Sequence, residues 1–181
     1  MRVVQVRRLF LGVGVAAVAL AVSACGGPGR TVERSETEGG STATSEAHPG
    51  VLAGVDPCRL LTESEARELG LDAPGERRDV SKTLTCRFKR AGEMRGQLAV
   101  AVTPDRALDQ LNFTGGDVQE TEVSGLRAKI VRGATGDICT VAIAVSPTES
   151  LSTDGNIGGD VEAGCKLAQQ AAPLVLAHLP K

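Results

Sequence analysis

The sequence predicts an α+β domain. It should hold an antiparallel sheet of five to six strands, N-terminal, middle and C-terminal helices packed on that sheet, and two disulfides. Three observations carry this. Period-two alternation of apolar and polar residues recurs between Gly, Ser and Pro turns. An apolar stripe of helical period begins near Val161. Four widely spaced cysteines, Cys58, Cys86, Cys139 and Cys165, follow a segment that reads as an export signal.

Residues 1–24 have the layout of that signal. Arg2, Arg7 and Arg8 form a basic start, Leu9 to Val22 an apolar run, and Val22-Ser23-Ala24 a small-residue approach to Cys25. The run is shorter than the roughly 20 residues that cross a bilayer. Small residues suit a peptidase that binds an extended segment, and a thiol suits thioether lipidation. Cys25 is therefore the expected lipid-attachment residue and the first residue of the mature chain. Two acyl chains, at about 0.8 kcal/mol per buried CH₂, anchor stably where one exchanges. The expected location is the extracytoplasmic face of the cell membrane. Arg7-Arg8-Leu9-Phe10-Leu11 resembles the twin-arginine export motif, with Val6 where a hydroxyl residue is usual. General secretion is the favoured route, because disulfides form outside.

Composition narrows the function further. Losing the signal removes three arginines and no acids, so the formal charge moves from −2 to about −5. A mildly acidic chain without basic clusters argues against nucleic acid and against binding anionic lipid through charge. Trp and Tyr are absent and the mature chain keeps only Phe88 and Phe113, too few rings for a stacking platform.

Residues 25–54 are rich in Gly, Ser, Thr and Glu and read as a disordered tether, with a reach of about 30 Å. His48 lies in it and is expected to be solvated. A single domain occupies residues 55–181. Asp56 is expected to bond backbone donors ahead of the first helix, and Pro57 to stiffen the approach to Cys58. Thr62 and Glu65 form a capping box, Leu61 and Ala66 a staple, and Gly70 ends the helix after Leu69.

Leu84, Cys86 and Phe88 alternate with polar residues, as do Leu98, Val100 and Val102 after a turn near Gly92 to Gly96. Thr103-Pro104 is expected to open a short helix with Leu108 and Leu111 on its buried face. Further strands are placed near Val118–Val123, Leu126–Arg132, Ile138–Val145 and Glu149–Thr153. Asp160 should cap the last helix, with Val161, Cys165, Ala168, Ala172, Leu176 and Leu179 along its stripe and Pro173 kinking or restarting it. Four cysteines allow three connectivities. Cys58–Cys86 with Cys139–Cys165 is favoured, since each pair joins a helix segment to a nearby strand.

The opening Asp56-Pro57-Cys58-x-Leu60-Leu61-Thr62, with Ala66 and Leu69-Gly70-Leu71, resembles that of a large family of actinobacterial lipoproteins. Their shared domain is known only as a domain of unknown function. The resemblance covers about Val55 to Pro180 and extends to Cys86-Arg87-Phe88, Cys139 and Cys165; the family often has Trp where Phe88 stands. It implies lipidation and an envelope location, and it brings no activity and no catalytic residues.

No cofactor and no metal is expected. Zinc would ask for close Cys pairs. Asp154 to Asp160 resembles the start of a calcium loop, with Glu162 near and Cys165 at the place of the bidentate Glu; a polar turn leading to a helix cap is the favoured reading. Glu120 and Glu122 share a strand face and are expected to be solvated. His178, the domain's only histidine, suits the C-terminal end of a helix dipole better than catalysis. No G-x-S-x-G, H-E-x-x-H or P-loop pattern occurs, so no catalytic residue is assigned. The expected function is a non-enzymatic binding, accessory or sensor domain. Its partners are the membrane, through the lipid on Cys25, and an envelope protein or cell-wall component. A carrier of a lipid or other apolar ligand is the alternative, and a cell-wall hydrolase ranks below both.

Overall fold

Alternating side chains build an antiparallel sheet, with more strands and fewer helices than the sequence predicts. The computed structural model describes residues 50–80, 83–93 and 95–180. The signal segment, Cys25, His48 and the tether up to residue 49 lie outside them. The strands are β1 (Glu76–Arg77), β2 (Leu84–Lys89), β3 (Gln97–Thr103), β4 (Asp117–Val123), β5 (Leu126–Arg132), β6 (Ile138–Ser146) and β7 (Glu149–Asn156). They form one seven-stranded sheet in the order β1-β2-β3-β7-β6-β5-β4. The α-helices of the described residues are α1 (Glu63–Glu68) and α2 (Val161–Ala177). No helix among the described residues is long and apolar enough to cross a membrane.

Register decides which face each residue takes. Cys86, Val100, Thr153, Val141 and Ile130 stand in one cross-strand row. That face is covered by α2. Asp160 caps the helix by accepting a bond from Ala163 N–H at 2.9 Å. Cys165, Leu167, Ala168, Ala171, Ala172 and Val175 are its buried residues against the sheet. Thr153 Oγ1 donates to the Ala168 carbonyl at 2.9 Å, so the buried hydroxyl is satisfied. Gly155 and Gly164 let strand and helix backbones touch: a Cβ on Gly164 would lie 2.7 Å from the Gly155 carbonyl oxygen. The helix passes through Pro173 without restarting.

The disulfides fasten the same layer. Cys58–Cys86 joins the 3-10 turn Pro57–Arg59 to β2, and Cys139–Cys165 joins β6 to α2. Asp56 Oδ1 accepts from Cys58 N–H at 3.0 Å, with Pro57 first in the turn. The Thr62–Glu65 capping box is present, Leu61 and Ala66 are buried, and Gly70 follows α1 at φ +74°. Packing also reaches into residues 50–54, ahead of the expected domain start at Val55. Leu52 is fully buried, and the buried Glu149 carboxylate accepts from Val51 N–H at 3.1 Å and Leu52 N–H at 2.9 Å.

Three expectations are corrected. The middle helix is a single 3-10 turn, Leu108–Gln110. Thr103 ends β3 instead of capping a helix, and Ser150 Oγ takes the Arg106 carbonyl at 2.8 Å, which a helix would use for its own ladder. The sheet gains β1, whose two exposed charged residues carry no alternation. Finally, β7 runs on to Asn156 through Asp154-Gly155, because Gly155 continues the pairing with Leu98 and Cys139 where α2 lies close.

Candidate functional site

The sheet face turned away from α2 holds the polar side chains. Two cross-strand rows define it: Thr85, Ala101, Ser152, Ala142 and Lys129; and Arg87, Ala99, Asp154, Thr140 and Val131. Residues 104–116 cross part of this face as a strap. Leu108 is buried within it, and its turn contacts β6. Asp109 clamps the strap down by accepting from Arg127 and, at 3.1 Å, from Lys129. The Arg127 and Lys129 bonds hold the Asp109 carboxyl below the usual aspartate range.

Beside the strap lies a cleft of about 390 Å³. Small residues make the room: Ala101, Ser152 and Thr140 stand where larger side chains would fill it. Phe113 and Arg106 from the strap line the opposite wall. Asp154 is the chemical centre. Thr140 Oγ1 donates to its Oδ1 at 2.6 Å and Ser152 Oγ to its Oδ2 at 3.2 Å. Desolvation raises the Asp154 pKa, and the two hydroxyls offset only part of that shift. A carboxylate short of donors and held by neutral hydroxyls is a strong acceptor for a ligand's N–H or O–H. The arrangement can bind and orient a polar group.

The structure distributes the other candidate residues elsewhere. Asp154 and Asp160 do not share a loop: Asp154 lies in β7, Asp160 caps α2, and Glu162 reaches Arg132 Nε at 3.5 Å. No group of three or more His, Cys, Asp and Glu placed to hold a metal occurs among the described residues. Glu120 and Glu122 are exposed on β4, and Glu120 pairs with Lys129 at 3.4 Å. His178 Nε2 lies 3.0 Å from both Glu65 carboxylate oxygens and links the end of α2 to α1. Burial raises the Glu65 pKa, but bonds with His178 and Thr62 outweigh it and hold the carboxyl below its ordinary value. All four domain cysteines are spent in disulfides.

Sequence reasoning groups Asp154 with the loop that follows it and misses its real partners. The signal was the alternation itself: Ser150, Ser152 and Asp154 share one face of β7, opposite the buried Glu149, Leu151, Thr153 and Gly155. Only the β6 register, which sets Thr140 opposite Asp154, shows that they converge.

A family model described as "Protein of unknown function (DUF3558)" matches residues 20–178. No curated protein matches the chain, and neither does any solved structure.

Proposed function

The chain belongs to the DUF3558 family, and we propose that it is an actinobacterial envelope lipoprotein whose domain binds a partner without enzymatic chemistry. In this reading the lipid on Cys25 holds the chain to the cell membrane, and the open sheet face takes a polar group of an envelope protein or cell-wall component. The observation that supports it is the Asp154 cleft, with an acceptor carboxylate at its floor and the strap at its side. The carrier alternative asks for a chamber between sheet and α2. The middle of that layer is filled by side chains such as Val100 and Ala168 and by the Gly155–Gly164 contact, and the space left is a cleft of about 280 Å³ at its edge, between Ile130 and Val141 on the sheet and Gln169 and Pro173 on α2. A hydrolase asks for paired acids or a histidine in a cleft, whereas Asp154 stands among hydroxyls and His178 is held by Glu65.

The test is capture from envelope extract and from solubilised wall fragments, with the wild-type chain and with Arg106→Glu/Phe113→Ala. A component retained by the wild type and lost at least tenfold by the variant is expected. Equal retention by both, or no specific component, contradicts the proposal.

A further inference from the structure

A second cleft, of about 510 Å³, opens where β2, β3 and β7 meet the turn ahead of α2. It brings together Arg87, Lys89 and Arg95. Arg87 and Lys89 lie on one face of β2, with Cα atoms about 7 Å apart from the strand repeat. Lys89 stands opposite Gln97 at the start of β3, so Arg95 enters from the adjoining hairpin. Arg95 packs against the Gly158–Gly159 turn: a Cβ on Gly158 would lie 3.6 Å from Arg95 Cβ.

Among the described residues these cations have no carboxylate partner. Arg67, Arg77, Arg78, Arg90, Arg127 and Arg132 each pair with a carboxylate. Arg87, Lys89 and Arg95 have none within 4.0 Å among the described residues. Two acids line the same cleft. Glu93 is held by Arg90 at 3.3 Å, which leaves Asp137 against three cations. A local excess of positive charge on a chain of formal charge −2 goes against the overall balance.

We propose that this cleft binds a phosphoryl group. A tetrahedral oxyanion has three or four acceptor oxygens and can engage two guanidinium forks and an ammonium together; a carboxylate has only two oxygens. The Gly158–Gly159 turn carries no side chain, so the group can approach the backbone there. The ligand is a phosphate ester, whether a lipid headgroup or a soluble phosphate. The inference does not rest on the Asp154 cleft and is tested through other residues.

The test titrates the isotope-labelled full chain with inorganic phosphate, against chloride at matched ionic strength, and follows backbone amide shifts. Saturable shifts at Gly96, Gly158 and Gly159 are expected with phosphate alone. Arg87→Gln/Lys89→Gln/Arg95→Gln should weaken binding at least tenfold, with shifts outside the cleft unchanged, which shows that the variant folds. Asp137→Asn should bind about fivefold tighter, the effect of removing one opposing surface charge. A second arm sediments the chain with phosphatidylglycerol or phosphatidylcholine vesicles. The basic N-terminal segment itself favours phosphatidylglycerol, so the comparison that counts is the wild type against the triple variant. A preference for phosphatidylglycerol that the triple variant loses assigns the lipid headgroup. A phosphate response without that preference assigns a soluble phosphate. Shifts no larger than with chloride, equal binding by the triple variant, or vesicle preference without a saturable phosphate response would each overturn the proposal.

Discussion

Asp154 shows what a single residue contributes. Its carboxyl is held by Thr140 and Ser152, yet desolvation keeps its pKa above the usual 3.8. A raised folded-state pKa means that the folded chain binds a proton more tightly than the unfolded one. Stability therefore falls as pH rises through the window between 3.8 and the folded value, and returns on acidification toward 3.8. Asp154→Asn removes that penalty. Its amide oxygen can still accept from Thr140, and its nitrogen can donate to a rotated Ser152 hydroxyl. Thermal unfolding should give the variant a higher Tm than wild type at neutral pH, with the gap closing toward about pH 4. A lower Tm at neutral pH, or a gap independent of pH, would count against this account of Asp154. Glu65 has the opposite sign. Its lowered carboxyl adds stability above its unfolded value of 4.5, and that stability is lost as pH falls through the folded value.

At the level of elements, packing overrules propensity where α2 meets β7. Gly164 sits inside a helix, where replacing Gly by Ala normally gains about 1 kcal/mol. Here the new Cβ would lie 2.7 Å from the Gly155 carbonyl oxygen and 3.3 Å from its carbon. Gly164→Ala should therefore destabilise by about 1–3 kcal/mol, the cost of forcing strand and helix apart. Denaturant unfolding that shows a gain would contradict the close-contact explanation. The bridges act on the same layer. Removing Cys58–Cys86 or Cys139–Cys165 as an Ala pair should cost about 3–4 kcal/mol, for loops of 28 and 26 residues on the chain-entropy model. Equilibrium unfolding of each double variant measures it, and a loss below about 1 kcal/mol would show that the bridge adds little to a layer already packed.

These elements also show where the sequence was readable. Alternation and capping are local properties, so Leu84 to Phe88, Ile138 to Val145, the Thr62–Glu65 box and the Asp160 cap could be read directly. The strap is not local. Whether residues 104–111 coil as a helix depends on Ser150, 44 positions away from Arg106, claiming its carbonyl. The short β1 escapes for the same reason, since its two residues are strand only through pairing with Arg87 and Cys86. Both clefts lie in this second category. Asp154 meets Thr140 through the β6–β7 register, and the hairpin that carries Arg87, Lys89 and Arg95 is local but meets the distant Gly158–Gly159 turn only in the fold.

The whole molecule divides its two sheet faces between two tasks. One is closed by α1, α2 and the disulfides and holds the core. The other carries the strap and two polar clefts, and it is where the proposal seats a partner. Such a division suits a domain held at a membrane and displayed beyond it, with the folding energy on one side and recognition on the other. The proposed function follows from placing the chain outside the cytoplasm. The most direct measurement is the intact mass, with N-terminal fragmentation, of the chain isolated from its own host. The account predicts a polypeptide that begins at Cys25, carries acyl mass on that residue and lacks the hydrogens of four thiols. A chain that begins upstream, bears no fatty acid and holds Cys58, Cys86, Cys139 and Cys165 as free thiols would contradict it.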